Sequence, residues 1–421
     1  METILAYAYS FLLAAIVLKA FFSKNRAELF SPIVFFAVYY AYYILVPYFT
    51  SKEDLYGGRY NGTSLLLFAA IVNIMAMLIG YNCYKPNKGI NSNNLYTLRN
   101  GKYLGVCLLF IGSLSYFVYN GFNINVVAVQ TEFYDATEHR LGHSEQYITM
   151  LISLLPAAAC LFYAIKANRL YFILTIVVAT IIGVMGGSRY RLFMFYIPLV
   201  TFYHLYPKPR KINYKVWIPA AVFFVFAMGV IEKTRNYGSG LDLERMTELF
   251  SDNSRSTKAS ETELVYYFSA KVMDAYQNEM IIPGEVFGTA LCLPIPRAIY
   301  KSKPDGQYLR DANIKTLGTD AYGAAYLNIV EWYLALGWIG VFLNGLFLGM
   351  LSKYFWNNFM CNSDSIGAAL YLSMYNGICY ILVSRGYLAQ EYVMFVYYVP
   401  MIYWISKLLV SFRYKFLNVK G

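Results

Sequence analysis

Side chains able to act on a phosphorylated substrate gather between the long apolar runs and at their edges: Arg189, Arg191, Arg235, Arg297, Lys301, Lys303, Arg310 and Arg385, with Glu232, Asp305, Asp311, Asp320 and Glu331. A guanidinium is a planar fork that stays charged at any relevant pH and can grip phosphate oxygens through two parallel hydrogen bonds. A carboxylate in reach of a hydroxyl can take its proton as that oxygen attacks. Together the two groups could hold a departing phosphate and activate an incoming hydroxyl. Arg189 and Arg191 are the sharpest case, lying in Gly187-Ser188-Arg189-Tyr190-Arg191 between two apolar runs with no acid nearby. Arg385, in the short turn Ser384-Arg385-Gly386-Tyr387, comes next. For each arginine taken singly, the plain alternative is a surface or snorkelling side chain.

The elements that must position these groups follow from composition. Of 421 residues, 58% are hydrophobic and only 14% charged, which excludes a soluble domain and indicates an all-α polytopic membrane protein. About eleven runs reach the length needed to cross a hydrocarbon core of roughly 30 Å. They cover approximately 3–22, 31–50, 63–83, 103–119, 147–165, 170–187, 191–206, 215–231, 326–350, 365–383 and 392–411. Met1-Glu2 has no basic flank, so the first run reads as a retained span rather than a cleaved signal.

Loop charge alternates along the chain. Lys24 and Arg26, then Lys85, Lys88, Arg99 and Lys102, then Lys166 and Arg169, then Lys208, Arg210, Lys211 and Lys215, and finally Arg413, Lys415 and Lys420 fall on one side. The positive-inside rule makes that side cytoplasmic, with the N-terminus outside and the C-terminus inside. These loops account for the net charge of +11 against anionic lipid, and no nucleic acid is needed. The arginine pair then faces outward, where basic residues are not required for topology.

Three regions result: spans one to eight over 1–231, a large outer segment over 232–325, and spans nine to eleven with a basic tail over 326–421. An outer segment of roughly ninety residues is too long for a bare connection. Ser260-Glu261-Thr262-Glu263 has the pattern of a capping box, and Leu264, Phe268, Val272, Ala275 and Tyr276 then repeat at helical spacing. Leu241, Met246, Leu249 and Phe250 form a shorter stripe. Both helices are expected to lie on the membrane face or roof a cavity, the alternative being a solvated cap without a site. Proline stiffens the rest, Pro294-Ile295-Pro296-Arg297 and Lys301-Ser302-Lys303-Pro304-Asp305-Gly306. Only Cys292 is in the outer segment, so no outer disulfide within the chain is expected. His139 and His143 have helical spacing but no third ligand, and adjacent Glu53 and Asp54 point apart, so no metal site and no cofactor are expected. Apart from Lys19 and Glu331 the spans are nearly free of ionisable groups, and no internal repeat is visible, which disfavours an ion-coupled carrier. A lipid-linked phosphate at the outer leaflet is the natural ligand for the arginines.

Pro296-Arg297 and Lys303-Pro304, followed by Gly323, Tyr326, Glu331-Trp332-Tyr333 and Gly337-Trp338-Ile339-Gly340 leading into a span, resemble the Wzy-type bacterial polysaccharide polymerases. The eleven-span layout with one large late outer loop is similar too, as is the Tyr-rich composition, although 43 tyrosines also suit interfacial belts. That family often carries a glycine between paired outer arginines, where this chain has Tyr190. The resemblance implies a GT-C-like fold in the bacterial inner membrane, with its active site on the periplasmic side. It also implies substrates that are undecaprenyl-diphosphate-linked glycans, membrane lipids around them, and a chain-length regulator as a protein partner. The reaction implied moves the growing glycan from undecaprenyl diphosphate to the terminal hydroxyl of a new lipid-linked repeat. Diphosphate is a weak base and needs cations rather than an acid to leave. Arg189, Arg191, Arg297, Arg385, Arg235 and Lys303 would hold it, and Glu331 or Asp311 would serve as base. Glu331 could equally be a buried structural acid paired to a loop arginine. Two rivals share the arginines or the architecture: an O-antigen ligase, which transfers to lipid A core, and a lipid-oligosaccharide flippase without chemistry.

Overall fold

The computed structural model describes residues 1–50, 62–84, 101–119, 151–185, 189–236, 240–241, 260–277, 283–292, 307–317, 325–363, 365–384 and 388–410, with isolated positions between 279 and 304. The described chain is helical at each of the eleven apolar runs. In order these are α1 (Glu2–Phe21), α2 (Pro32–Thr50), α3 (Thr63–Cys83), α4 (Gly101–Tyr119), α5 (Leu154–Ala164), α6 (Arg169–Met185), α7 (Arg189–Leu205) and α8 (Tyr214–Thr234). The outer segment supplies α9 (Glu261–Ala275), α10 (Pro283–Cys292) and α11 (Gln307–Leu317). Then come α12 (Asn328–Cys361), α13 (Ile366–Ser384) and α14 (Leu388–Val393), which continues through a π-turn into α15 (Val399–Val410). Among the described residues, seven helices are long and apolar enough to cross a membrane, and α5, α6 and the last helix are apolar but shorter. The protein is an all-α, multi-pass membrane protein.

Two compact units share these helices. The first comprises Met1–Asn87, Ser256–Asn357 and Ile378–Tyr397. Within it α3 and α12 meet at backbone contact. A Cβ on Gly345 or Gly349 would lie 2.1 Å from the carbonyl oxygen of Asn73 or Met77 respectively, so only glycines spaced i, i+4 permit the approach. Asn73 adds a 3.0 Å hydrogen bond from its amide to the Val341 carbonyl. Gly337 breaks α12 with φ 61° and ψ −143°, a conformation open almost solely to glycine. The bend brings Gly340 against the Trp332 carbonyl, where a Cβ would lie 1.9 Å from the oxygen. A short leading segment, 328–336, is thereby set off from the long helix that follows.

The outer helix α9 opens with the expected capping box. The Ser260 hydroxyl accepts from the Glu263 N–H at 3.3 Å, while the Glu263 carboxylate accepts from the Ser260 N–H at 2.7 Å. Its buried face differs from the expected stripe: Val265, Ser269, Val272, Met273 and Tyr276 are buried, whereas Leu264, Phe268 and Ala275 are only partly so. The cause is packing on several sides, against α3, the end of α2 and α11. Small residues win where backbones approach. Ala270 touches Gly62, and the Ser269 hydroxyl accepts the Leu327 N–H at 2.9 Å, tying α9 to the entry of α12. Leu241, expected to open a second outer helix, instead pairs with Arg235 in a two-stranded antiparallel ribbon, Arg235–Asn236 with Gly240–Leu241. Met246, Leu249 and Phe250 lie outside the described residues.

The second unit comprises Lys88–Arg255, Asn358–Gly377 and Tyr398–Gly421. In it α5 packs on α4, α6 and α7, and α7 meets α8. Leu192 in the first turn of α7 joins Met228 and Ile231 of α8 in a buried cluster. It also fills the space left by Gly183 of α6.

Candidate functional site

Glu331 stands in the first turn of α12 and is 1% exposed. A carboxylate removed from water must be paired or hydrogen-bonded. One oxygen, Oε1, accepts from the Tyr308 hydroxyl at 2.6 Å, and Oε2 accepts from the backbone N–H of Leu388. Leu388 opens α14, so the carboxylate meets an N–H that has no acceptor within its own helix. Three elements are thus pinned on one side chain: α11, α12 and α14. The partner expected from the sequence was a loop arginine; the partners found are a tyrosine and a backbone amide.

A second buried carboxylate follows Leu388 in the same helix. Glu391, in the first turn of α14, is 5% exposed, and its Oε1 has no hydrogen-bond partner. Tyr40, fully buried in α2, donates its hydroxyl to Asn328 Oδ1 at 3.1 Å. Asn328 opens α12, is fully buried, and has no partner for its amide nitrogen. Nearby in α2 the Tyr43 hydroxyl shares a short hydrogen bond with that of Tyr380, whose ring also stands edge-on to Tyr39 at 5.4 Å. The first unit therefore buries several tyrosines, Asn328 and two acids within a mostly apolar body.

The other expected site residues are distributed differently. Asp311 lies one turn beyond Tyr308 on α11 and is exposed, whereas Tyr308 is buried. It stands near Tyr276 at the end of α9, where burial raises the phenol above its ordinary range and the Lys315 ammonium, 4.4 Å from the ring centre, opposes that shift. Lys315 is also paired with Glu279. Arg189 and Arg191 occupy the first turn of α7 rather than the gap before it. Cations at the positive end of a helix add charge that an anion would offset. Arg191 is half-buried, its guanidinium 5.8 Å from the Tyr190 ring centre. Residues 186–188 and the Arg189 side chain lie outside the described residues, as do the side chain of Arg235 and the whole of Arg297, Lys303 and Arg385. The same holds for Glu53, Asp54, His139 and His143.

Sequence reasoning picked out Glu331 and missed Glu391, Tyr308, Asn328 and Tyr40. One signal was available for Glu391: an acid abutting an apolar run is costly there and invites a functional reading. The tyrosine and asparagine carried none, because in a chain with 43 tyrosines no single one stands out.

No protein-family model matches the chain, and no solved structure matches it. Two curated relatives do: the O-antigen polymerases of Salmonella typhimurium (strain LT2) and of Salmonella typhi, each 23% identical over 379 residues, which is 86% of this chain and 86% of the relative. Along most of its length the chain is similar to O-antigen polymerases, in agreement with the resemblance to Wzy-type enzymes carried by its residues.

Proposed function

We propose that this protein polymerises lipid-linked oligosaccharide repeat units at the periplasmic face of the bacterial inner membrane. The growing glycan would pass from undecaprenyl diphosphate to the terminal hydroxyl of a new undecaprenyl-diphosphate-linked repeat. The observation that carries this reading is similarity to O-antigen polymerases over 86% of both chains, which spans the helices and the outer segment together.

In the chemistry proposed, the acceptor O–H bond breaks as its oxygen bonds to the anomeric carbon of the growing chain. The bond from that carbon to the diphosphate breaks, and the electron pair leaves with the diphosphate. Arg189, Arg191, Arg235, Arg297, Lys303 and Arg385 are assigned to the leaving charge, where preorganised cations lower the barrier. Glu331 is assigned as the group that takes the acceptor proton, with Tyr308 and the Leu388 N–H holding it in place. Asp311, exposed to water, is the second candidate. No metal has a role in this scheme.

Purified protein in lipid nanodiscs, given undecaprenyl diphosphate carrying one repeat unit, should yield a ladder of lengthened lipid-linked glycans. Transfer to added lipid A core without a ladder would identify a ligase. Absence of both products would overturn the reading. Glu331→Gln should abolish the ladder and Asp311→Asn leave it; the reverse would reassign the base.

A further inference from the structure

Where α7 ends and α8 begins, the second unit gathers aromatic rings around one guanidinium. Arg210 lies in the segment between the two helices, and its backbone N–H donates to the His204 carbonyl at 2.9 Å, which folds that segment back on the end of α7. The guanidinium carbon is 4.6 Å from the centre of the Tyr203 ring and 5.6 Å from that of Tyr163 on α5, and the two rings are themselves 5.6 Å apart. Trp217 of α8 closes the group, 4.9 Å from His204 and 6.1 Å from Tyr203. An arginine held against ring faces keeps its N–H edge for oxygen acceptors, and its planar fork suits a phosphate. The stretch that builds this end supplies no carboxylate, because positions 146–231 contain neither aspartate nor glutamate. It supplies further cations instead. Lys208, Lys211 and Lys215 in the same segment, with Lys166 and Arg169 between α5 and α6, are exposed. A phosphate brought here meets a preset fork within a rim of cations.

The same place borders an apolar surface. Val216 and Ile218 flank Trp217 and are exposed, and Val222 and Phe223 carry that surface along α8. An anion with acyl chains uses both the cations and the apolar face, whereas a free phosphate uses the cations alone. By loop charge this end faces the cytoplasm, away from the cations assigned to the carrier diphosphate. We propose that Arg210, seated on Tyr203 and Tyr163, binds the headgroup phosphate of an anionic phospholipid of the cytoplasmic leaflet, with the acyl chains lying along α8. Lys208 and Lys211 add the charge that selects an anionic headgroup over a zwitterionic one. This site does not depend on the polymerase reading.

The test uses full-length protein stripped of lipid in neutral detergent, with phosphatidylglycerol, phosphatidylcholine or inorganic phosphate added. Native mass spectrometry should show phosphatidylglycerol retained by the wild type in preference to phosphatidylcholine. Arg210→Gln should lower that retention about fivefold, the equivalent of the roughly 1 kcal/mol that one cation contributes near an anionic lipid surface. Phosphatidylglycerol should also raise the thermal unfolding midpoint of the wild type and not that of Arg210→Gln, while inorganic phosphate at the same concentration leaves both unchanged. A Lys208→Gln, Lys211→Gln double variant, altered only at exposed positions, decides the matter if Arg210→Gln fails to fold, and it too should lose retention. Equal retention of phosphatidylglycerol by wild type and folded variants would overturn the proposal, as would equal retention of the two lipids by the wild type. A midpoint raised as far by inorganic phosphate would make the ligand a free anion and overturn the lipid assignment. Glycan ladders are not read in these measurements, so a negative result here leaves the polymerase reading standing, and a missing ladder leaves this site standing.

Discussion

At the scale of single residues, Glu331 and the arginine pair make opposite demands on their surroundings. Glu331 is sealed from water and depends on two donors, so removing one should be felt as stability. Tyr308→Phe deletes the hydroxyl that donates at 2.6 Å and leaves the ring in place. A loss of about 1–3 kcal/mol is expected, the usual cost of stranding a buried acceptor. Thermal unfolding in detergent checks it, and a midpoint equal to wild type would mean that another donor had replaced the phenol. Leu192, next to the pair, anchors the first turn of α7 in a buried cluster with Met228 and Ile231. Arg189→Ala or Arg191→Ala should therefore abolish long glycan chains while the protein stays inserted at normal abundance. Polysaccharide length on gels of the variant strains is the measurement. Normal chain length in both variants would remove the pair from the mechanism.

At the scale of elements, the bend in α12 decides where Glu331 can be. Gly337 adopts φ 61°, and Gly340 lets the chain fold back on Trp332, so the leading segment departs from the axis of the long helix. Gly337→Ala should cost about 1–3 kcal/mol in a conformation that other residues avoid. Because the strain can be relieved by straightening the helix, it should also lower polymerisation well beyond the change in stability. Glycan ladders scored against the amount of folded protein would separate the two effects, and full activity would show that the bend is not needed. The motif Gly337-Trp338-Ile339-Gly340 was visible in the sequence, but its meaning as a bend was not, since hydropathy runs unbroken across it. The same limit applies elsewhere. The helices at the apolar runs were legible because an apolar composition is sustained over a whole helix, and the capping box of α9 was legible because its pattern is local. The buried face of α9 was misjudged because its packing on several sides lets Ser269 and Ala270 be buried while Leu264 is partly exposed. The bond from Glu331 to α14 was illegible for a similar reason: Glu331 and Leu388 are 57 positions apart, and nothing local to either announces the other.

At the scale of the whole molecule, the proposed chemistry requires a definite orientation. Lipid-linked repeats are presented at the outer leaflet, so the outer segment and the start of α7 must face the periplasm. Loop charge supports that arrangement. The basic loops between α3 and α4, between α5 and α6 and between α7 and α8, with the basic tail, carry most of the excess behind the net charge of +11. Near a membrane surface each such cation is worth about 1 kcal/mol of attraction to anionic lipid, enough when summed to fix the topology. An odd number of crossings from the start of α7 to the tail puts the arginine pair and the C-terminus on opposite sides of the membrane. The helices α7, α8, α12, α13 and α15 supply that odd number when each crosses once. A fluorescent protein that matures only in the cytoplasm, fused after Gly421, should glow, and the same protein inserted near residue 255 should stay dark. Alkaline phosphatase at those two sites should give the reverse pattern. A dark C-terminal fusion with active phosphatase there would invert the molecule, place the arginines in the cytoplasm, and remove the lipid diphosphate from their reach.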